Sequence, residues 1–311
     1  RRQRQMCIRD SPYGPWENGN PNYFNIVAGV SAGTIIGNIA WGLGYFGQPH
    51  IITRFMALRS PSEAKAARRT GSIWVAICYL GGIFTALVAT VYFGQKSASV
   101  TDQSGYETVF LDLARIMFHP LIAGIVLTAV LAAIMSTMSS QLLVTSSALI
   151  EDIYRIFKKN PNNTTLLVLS RAMVIGVALI GMLLALNPSD TILGLVGFAW
   201  AGFGSAFGPV VVASLYWKRL TSQGAIAGMI VGAVTSFVWG SIDSLSGIIY
   251  EIVPGVILAT LAMVIVSLAT RPKEGVAEEF DSAAAATDYA LAHPDEDFSA
   301  ALRNRGGSTA V

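Results

Sequence analysis

The chain has 311 residues, of which 53% are hydrophobic and 13% are charged, with a formal net charge of +2. A soluble globular domain carries about 25% charged residues, so this composition and a mean hydropathy of +0.54 indicate an integral membrane protein. The small net charge gives no reason to expect a nucleic-acid partner. The two cysteines, Cys7 and Cys78, define no disulfide framework.

The composition divides the chain into three parts. Residues 1–20 differ in character from the rest of the chain, and we expect either a non-native or an extramembrane N-terminal segment there. Residues 21–270 are predominantly apolar and are expected to form a membrane-spanning domain with seven helices. Residues 271–311 are rich in Ala, Asp and Glu and predict a disordered cytoplasmic tail, with an amphipathic helix at Val276–Leu291 as the alternative.

Seven apolar runs approach or exceed the roughly 20 residues that a membrane-spanning helix needs. They are Phe24–Phe46, Gly71–Phe93, Pro120–Ile150, Leu166–Leu186, Thr191–Trp217, Ala225–Gly240 and Ile248–Leu268. The sixth run is short and could extend back to Thr221. Ser60-Pro61-Ser62-Glu63 matches a capping box with proline at the first helical position, which predicts a helix start before run two.

Charge alternates between successive loops. The loops after runs one, three, five and seven carry the basic residues Arg54, Arg59, Lys65, Arg68, Arg69, Arg155, Lys158, Lys159, Arg171, Lys218, Arg219, Arg271 and Lys273. The loops between them carry Asp102, Glu107, Asp112, Asp190, Asp243 and Glu251, with only Lys96 and Arg115 as basic residues. The positive-inside rule then places the start of the first run outside the cell and the C-terminus in the cytoplasm.

The first run ends in Trp41-Gly-Leu-Gly-Tyr-Phe-Gly-Gln-Pro49, which makes a poor continuous helix because it contains three glycines and a proline. Broken helices near the membrane midplane build the binding sites of secondary transporters. Trp41, Tyr45 and Pro49 would share one face if the segment were helical, and Gln48 lies within it. These four are the candidate solute-binding residues. Close helix packing by the glycines and an interfacial position for Trp and Tyr are the competing interpretations.

The third run places six hydroxyl groups within twelve residues of a stretch without charge: Ser136, Thr137, Ser139, Ser140, Thr145 and Ser146. Ser147 follows directly. Ala133, Ser136 and Thr137 lie on one helix face, and hard cations prefer oxygen ligands, so these three are candidate sodium ligands. The competing interpretation is that hydroxyls bond to carbonyls one turn earlier, which we assign to Ser139, Ser140 and Ser146.

Run five contains five glycines, the last of which, Gly208, precedes Pro209; they indicate close packing or a bend, with packing favoured. No enzyme constellation is present in the sequence, so the protein is not expected to be an enzyme. The three histidines have no metal-ligand spacing, and there is neither a phosphate-binding loop nor a nucleophile elbow.

Four segments, in order, resemble the sodium:solute symporter family over about Asn25 to Leu268. They are Trp41–His50 with Arg54–Met56, then Leu131–Ser139 with Gln141–Val144 and Ser146–Ala148, then Ala199–Gly204 with Ala206–Val210, and finally Ser214, Leu215, Arg219, Gly224, Ala225, Gly228 and Gly232. Together they are a far more specific signal than any one of them.

The resemblance implies an all-α integral membrane protein with a five-plus-five inverted-repeat, sodium-coupled transporter fold. This chain would hold the second repeat and the C-terminal helices, the last seven of thirteen. It also implies sodium ligation by the Ala133 backbone, Ser136 and Thr137, and contact of L-proline with Trp41, Tyr45 and Pro49. The remaining sodium ligands are then expected on helices outside this chain, so the chain alone is expected to be inactive.

The alternatives are a sodium symporter for another solute, such as pantothenate or a sugar, and a transporter-like sensor domain. The expected location is the cell membrane, crossed several times, with no nucleic-acid partner and no evident protein partner.

Overall fold

The computed structural model describes residues 29–95, 103–158, 162–186 and 191–293, and all regular structure in these ranges is helical. The α-helices are α1 (Ala32–Ala40), α2 (Pro49–Met56), α3 (Pro61–Gln95), α4 (Gln103–Met117), α5 (Pro120–Ser147), α6 (Arg155–Phe157), α7 (Asn163–Ala185), α8 (Ile192–Tyr216), α9 (Ser222–Ser241), α10 (Asp243–Ser246), α11 (Ile252–Ala269) and α12 (Val276–Ala292). A 3₁₀ segment (Trp41–Gly47) lies between α1 and α2, and a π-helical stretch (Ala148–Tyr154) comes after α5. The predicted all-α class is confirmed, whereas residues 1–20 lie outside the described ranges.

Six helices in the described ranges are long and apolar enough to cross a membrane: α3, α5 with its π-helical extension, α7, α8, α9 and α11. They correspond to runs two to seven of the sequence. The first run is different, because α1 ends at Ala40 and the chain continues as the 3₁₀ segment. The predicted break in this run is therefore confirmed.

Helix α3 is longer than a membrane requires. Its 35 residues extend about 50 Å at 1.5 Å per residue, against a hydrocarbon core of about 30 Å. The helix begins at Pro61, as the capping-box pattern predicts, and the Ser60 hydroxyl lies 2.7 Å from that of Ser62. The excess length at the start carries the basic residues Lys65, Arg68 and Arg69 beyond the apolar part of the helix.

The prediction of a disordered tail needs correction for Val276–Ala292, which forms α12. The amphipathic-helix alternative describes this stretch better. Alanines favour the helix, and Glu278 and Glu279 in its first turn complement the helix dipole. The ammonium group of Lys218 also pairs with Asp281 and lies 5.7 Å from the centre of the Phe280 ring. Residues 294–311 lie outside the described ranges.

The described residues form two compact units. The first contains those between Leu80 and Leu193, in which α5 packs against α4 and α7. No apolar run of the sequence covers α4, so a loop is predicted there. The structure has a helix instead, and burial of Leu113 and Ala114 helps to stabilise it. In the same unit, the carboxylate of Glu107 accepts a hydrogen bond of 2.8 Å from the backbone N–H of Ile192, the first residue of α8.

The second unit contains the described residues of 25–79 and 194–311. Helices α9 and α11 pack closely because Gly224, Gly228 and Gly232 repeat every four residues along α9. A Cβ added at Gly228 would lie only 3.0 Å from the Cβ of Met263. Helix α9 begins directly after Thr221, whose hydroxyl accepts a hydrogen bond of 3.1 Å from the N–H of Gly224.

Candidate functional site

The 3₁₀ segment of the second unit presses directly onto α8. Gly44 and Gly47 are buried, and a Cβ added at Gly204 of α8 would lie 2.7 Å from the Cα of Gly44. A Cβ added at Gly44 would overlap the indole of Trp200, and one at Gly47 would overlap the backbone carbonyl of Phe203. The interpretation of the glycines as packing residues therefore holds for these two.

Trp41 is the first residue of the 3₁₀ segment and lies among aromatic rings. Its indole stacks with that of Trp200 at a centroid distance of 5.7 Å and with the ring of Tyr250 at 5.6 Å. The indole N–H of Trp200 donates a hydrogen bond of 2.9 Å to the backbone carbonyl of Trp41. The side chain of Trp41 is consequently held in place by the protein and keeps only part of its surface exposed.

Tyr45 is the most accessible member of this aromatic cluster, which consists of Trp41, Tyr45, Trp200 and Tyr250. Its ring meets that of Trp200 edge-on, with centroids 4.8 Å apart, yet 45% of the residue surface remains exposed. Its hydroxyl also lies near the side chain of Tyr79 on α3. Tyr45 thus offers an anchored aromatic surface to a ligand.

Gln48 and Pro49 form the junction between the 3₁₀ segment and α2. Gln48 is only 5% exposed, and its amide Nε2 donates a hydrogen bond of 3.3 Å to the backbone carbonyl of Trp200. Pro49 is the first residue of α2, and no side chain caps that helix N-terminus. The uncapped end places partial positive charge beside the aromatic cluster, where it suits an anionic group.

The prediction that Trp41, Tyr45 and Pro49 share one helix face does not hold. A 3₁₀ helix has three residues per turn, so residues four apart are rotated by about 120°. Trp41 and Tyr45 come together through Trp200, which contacts one ring face to face and the other edge-on.

Sequence reasoning assigned no site role to Trp200 or Tyr250. A signal for the docking helix was nevertheless present, because small buried residues recur along α8 at Gly197, Ala201, Gly204 and Gly208. Such a stripe marks the helix face that another backbone can approach. Nothing comparable in the local sequence pointed to Tyr250.

An apolar cavity of about 540 Å³ also lies on α8 and α9. Four phenylalanines line it, namely Phe198, Phe203, Phe207 and Phe237, and the Ser236 side chain is also part of its lining. None of the four predicted solute-binding residues contributes to this cavity, so it is separate from the aromatic cluster.

In the first unit, the predicted sodium ligands lie on α5 and are exposed. The Thr137 hydroxyl donates a hydrogen bond of 3.2 Å to the backbone carbonyl of Ala133. Two oxygen ligands that subtend a right angle at a hard cation, each about 2.4 Å from it, lie about 3.4 Å from one another. The Thr137 hydroxyl and the Ala133 carbonyl therefore have nearly the spacing of two neighbouring cation ligands. The Ser136 hydroxyl has no hydrogen-bond partner within the described part of the chain.

The neighbouring hydroxyls behave as the competing interpretation predicts. Ser139 and Ser140 each donate a hydrogen bond of 2.7 Å to the carbonyl one turn earlier, and Ser146 donates to the carbonyl of Leu143 at 3.0 Å. Among the described residues, no group of three or more His, Cys, Asp or Glu side chains could hold a metal ion. Helix α5 itself carries no charged side chain, so it offers a cation only neutral oxygen ligands.

Comparison with known proteins gives concordant family and relative matches. The model of the sodium:solute symporter family matches residues 13–232. The high-affinity proline transporter PutP of Bacillus subtilis (strain 168) is 47% identical over 264 residues, which are 84% of this chain and 55% of the relative. The osmoregulated proline transporter OpuE of the same organism is 49% identical over 254 residues, covering 81% of this chain and 51% of the relative.

The sodium/proline symporter of Escherichia coli (strain K12) is 46% identical over 247 residues, which cover 78% of this chain and 49% of that protein. The chain thus spans about half the length of the curated relatives it matches. No solved structure gives a significant match. Because the family model covers more than half of the chain, the chain belongs to the sodium:solute symporter family.

Proposed function

We propose that this chain is the C-terminal part of a sodium-coupled symporter that carries L-proline into the cell. The observation that carries the proposal is the broken helix at Trp41–Gly47 with its anchored aromatic cluster, in a chain 46–49% identical to proteins named for proline transport. The whole protein couples proline uptake to sodium entry, and this chain contributes part of each binding site.

The proposed solute site is formed by Trp41, Tyr45, Gln48 and Pro49. Proline combines an apolar ring with a carboxylate and a secondary ammonium group. The exposed face of Tyr45 accepts the ring or the ammonium group, because aromatic faces bind both apolar surface and cations. The uncapped N-terminus of α2 at Pro49 favours the carboxylate. Trp41, held in place by Trp200, forms one wall of the site. Gln48 connects the junction between the 3₁₀ segment and α2 to α8 through its hydrogen bond to the Trp200 carbonyl.

The proposed sodium ligands from this chain are the Ala133 carbonyl and the hydroxyls of Ser136 and Thr137. These three oxygens are fewer than the six or more that a hard cation of this kind takes, so the remaining ligands come from another helix. Sodium binding stabilises the state that binds proline, and by reciprocity proline raises the affinity for sodium.

The proposed location is the cell membrane, with the first described helix starting outside and the C-terminus in the cytoplasm. The basic start of α3 and the Lys218–Arg219 turn support this orientation because both then lie on the cytoplasmic side. With the same orientation, α12 is cytoplasmic.

The test is transport by a joined transporter, in which the part of Bacillus subtilis PutP that this chain does not match is fused to the N-terminus of this chain. Reconstituted in liposomes, the joined transporter is expected to accumulate proline under an inward sodium gradient but not under a potassium gradient. This chain alone is expected to accumulate none. Uptake that ignores the sodium gradient would refute sodium coupling.

The same liposomes separate the alternatives. Competition by unlabelled imino acids supports proline as the solute, whereas competition by pantothenate or a sugar alone would replace proline by that solute. Binding without uptake in the joined transporter would favour the sensor alternative.

A further inference from the structure

Tyr250 lies in the turn that precedes α11 and contacts both the ring of Trp41 and the backbone of α8. Its ring lies nearly parallel to that of Trp41, with an angle of 13° between the planes. Its hydroxyl donates a hydrogen bond of 2.5 Å to the backbone carbonyl of Gly197, three residues before Trp200 on α8. One side chain therefore links α8 to the ring of Trp41.

One of the two glycines beside this link makes room for it. A Cβ added at Gly37, one turn before Trp41 on α1, would lie 2.9 Å from the Cβ of Tyr250. A Cβ added at Gly197 would lie 3.5 Å from the Trp41 indole and 3.8 Å from the Tyr250 hydroxyl. The lack of a side chain at Gly37 thus lets Tyr250 pack closely against α1, whereas the distances at Gly197 are ordinary van der Waals contacts.

The hydroxyl is a stable donor. Burial raises the pKa of Tyr250, and the nearby charge of Glu251 raises this pKa further, so the phenol stays protonated in the physiological range. Tyr250 precedes the spanning helix, which begins at Ile252.

We propose that Tyr250 is a positioning residue for the solute site: it holds the Trp41 indole against Trp200 and so fixes the wall that the solute meets. This inference rests on the proposed function. It concerns a residue outside the broken helix, in the turn before the last of the described membrane-spanning helices. Tyr250 acts through Trp41 and is not itself assigned a contact with the solute.

Removal of the ring should weaken solute binding more than it slows transport. An aromatic pair contributes about 0.5–1.5 kcal/mol, so Tyr250→Leu is expected to raise the half-saturating proline concentration roughly two- to twelvefold. Tyr250→Phe keeps the stacked ring and should stay within about twofold of wild type. A purely structural role would instead lower the maximal rate and the amount of folded protein for both variants.

The experiment measures proline uptake by the joined transporter carrying each variant, alone and together with Trp41→Ala. The effect of Tyr250→Leu on half-saturation should disappear in the Trp41→Ala background, because Tyr250 acts through that ring. The matched control is Tyr216→Leu, since Tyr216 is 82% exposed at the end of α8. Unchanged half-saturation in Tyr250→Leu would overturn the inference and leave the proposed function intact.

A second measurement does not depend on transport. In this chain reconstituted in lipid, Tyr250→Leu should increase quenching of tryptophan fluorescence by acrylamide, and this increase should vanish in the Trp41→Phe background. If the wild-type joined transporter takes up no proline, the proposed function fails, and quenching then decides the positioning role. An increase in quenching that depends on Trp41 supports the positioning role of Tyr250, and unchanged quenching overturns it.

Discussion

The contact between the 3₁₀ segment and α8 can be tested by adding one methyl group at a time. Gly42, Gly44 and Gly47 lie in the same short segment but face different surroundings. A Cβ at Gly42 meets nothing within 4 Å, one at Gly44 overlaps the Trp200 side chain, and one at Gly47 overlaps the Phe203 backbone. Alanine substitution at the three positions therefore forms a graded series with an internal control.

The expected magnitudes depend on these surroundings. Gly42→Ala causes no clash and reduces the conformational freedom of the unfolded chain, so it should leave the free energy of unfolding unchanged or raise it by about 0.5–1 kcal/mol. Gly44→Ala displaces the indole of Trp200, which costs its hydrogen bond to Trp41 and part of two ring contacts, about 1–3 kcal/mol in total. Gly47→Ala pushes against a backbone that cannot rotate away, and should cost about 3 kcal/mol or more.

The assay is the free energy of unfolding of this chain in mixed detergent micelles, followed by tryptophan fluorescence. The double variant Gly44→Ala with Trp200→Ala provides a second check, because the methyl group has no indole to displace and the two costs should not add. Equal stabilities for all three single variants would refute the docking of the 3₁₀ segment on α8.

Three further predictions address other parts of the chain. Asp281→Asn should change global stability by less than about 1 kcal/mol, because its ion pair is exposed, but should speed hydrogen exchange within Val276–Ala292. Glu107→Ala should lower the unfolding free energy by about 1 kcal/mol in the same micelles, because the N-terminus of α8 loses its hydrogen-bond acceptor. Thr137→Ala in the joined transporter should raise the half-saturating sodium concentration about tenfold, whereas Ser139→Ala should leave it unchanged; equal effects would contradict the proposed ligand set.

The membrane-spanning helices and the break were accessible from sequence because both depend on local properties. Runs of apolar residues predict spanning helices, and three glycines with a proline predict that Trp41–Pro49 cannot continue one. The residue that packs against this broken segment, Trp200, could not be predicted in the same way. Trp200 lies 159 residues after Trp41, and only the fold brings its indole N–H to the Trp41 carbonyl.

Helix α4 was not predicted from the sequence, and the tail helix was only the alternative interpretation, for different reasons. Helix α4 carries acidic residues and is too short to cross a membrane, so no apolar run in the sequence marks it. Tertiary burial of Leu113 and Ala114 helps to stabilise it. The tail helix has high local helix propensity, but its composition suggested disorder, and its ion pair with Lys218 joins positions 63 residues apart.

The hydroxyls of α5 illustrate why an ion site and ordinary helix bonding look alike in sequence. The bond from Thr137 to the Ala133 carbonyl is the usual back-bond of a membrane helix, yet it also sets two potential ligand oxygens 3.2 Å apart. A cation between them would require the hydroxyl hydrogen to turn away, at a cost of about 1 kcal/mol. Ser136 carries no such cost, since its hydroxyl has no partner in the described part of the chain. The face with Ala133, Ser136 and Thr137 therefore differs from Ser139 in one respect: the Ser136 hydroxyl, without a partner in the described part of the chain, lies on the same face as two oxygens that already have nearly the spacing of cation ligands. The sequence alone does not reveal that difference.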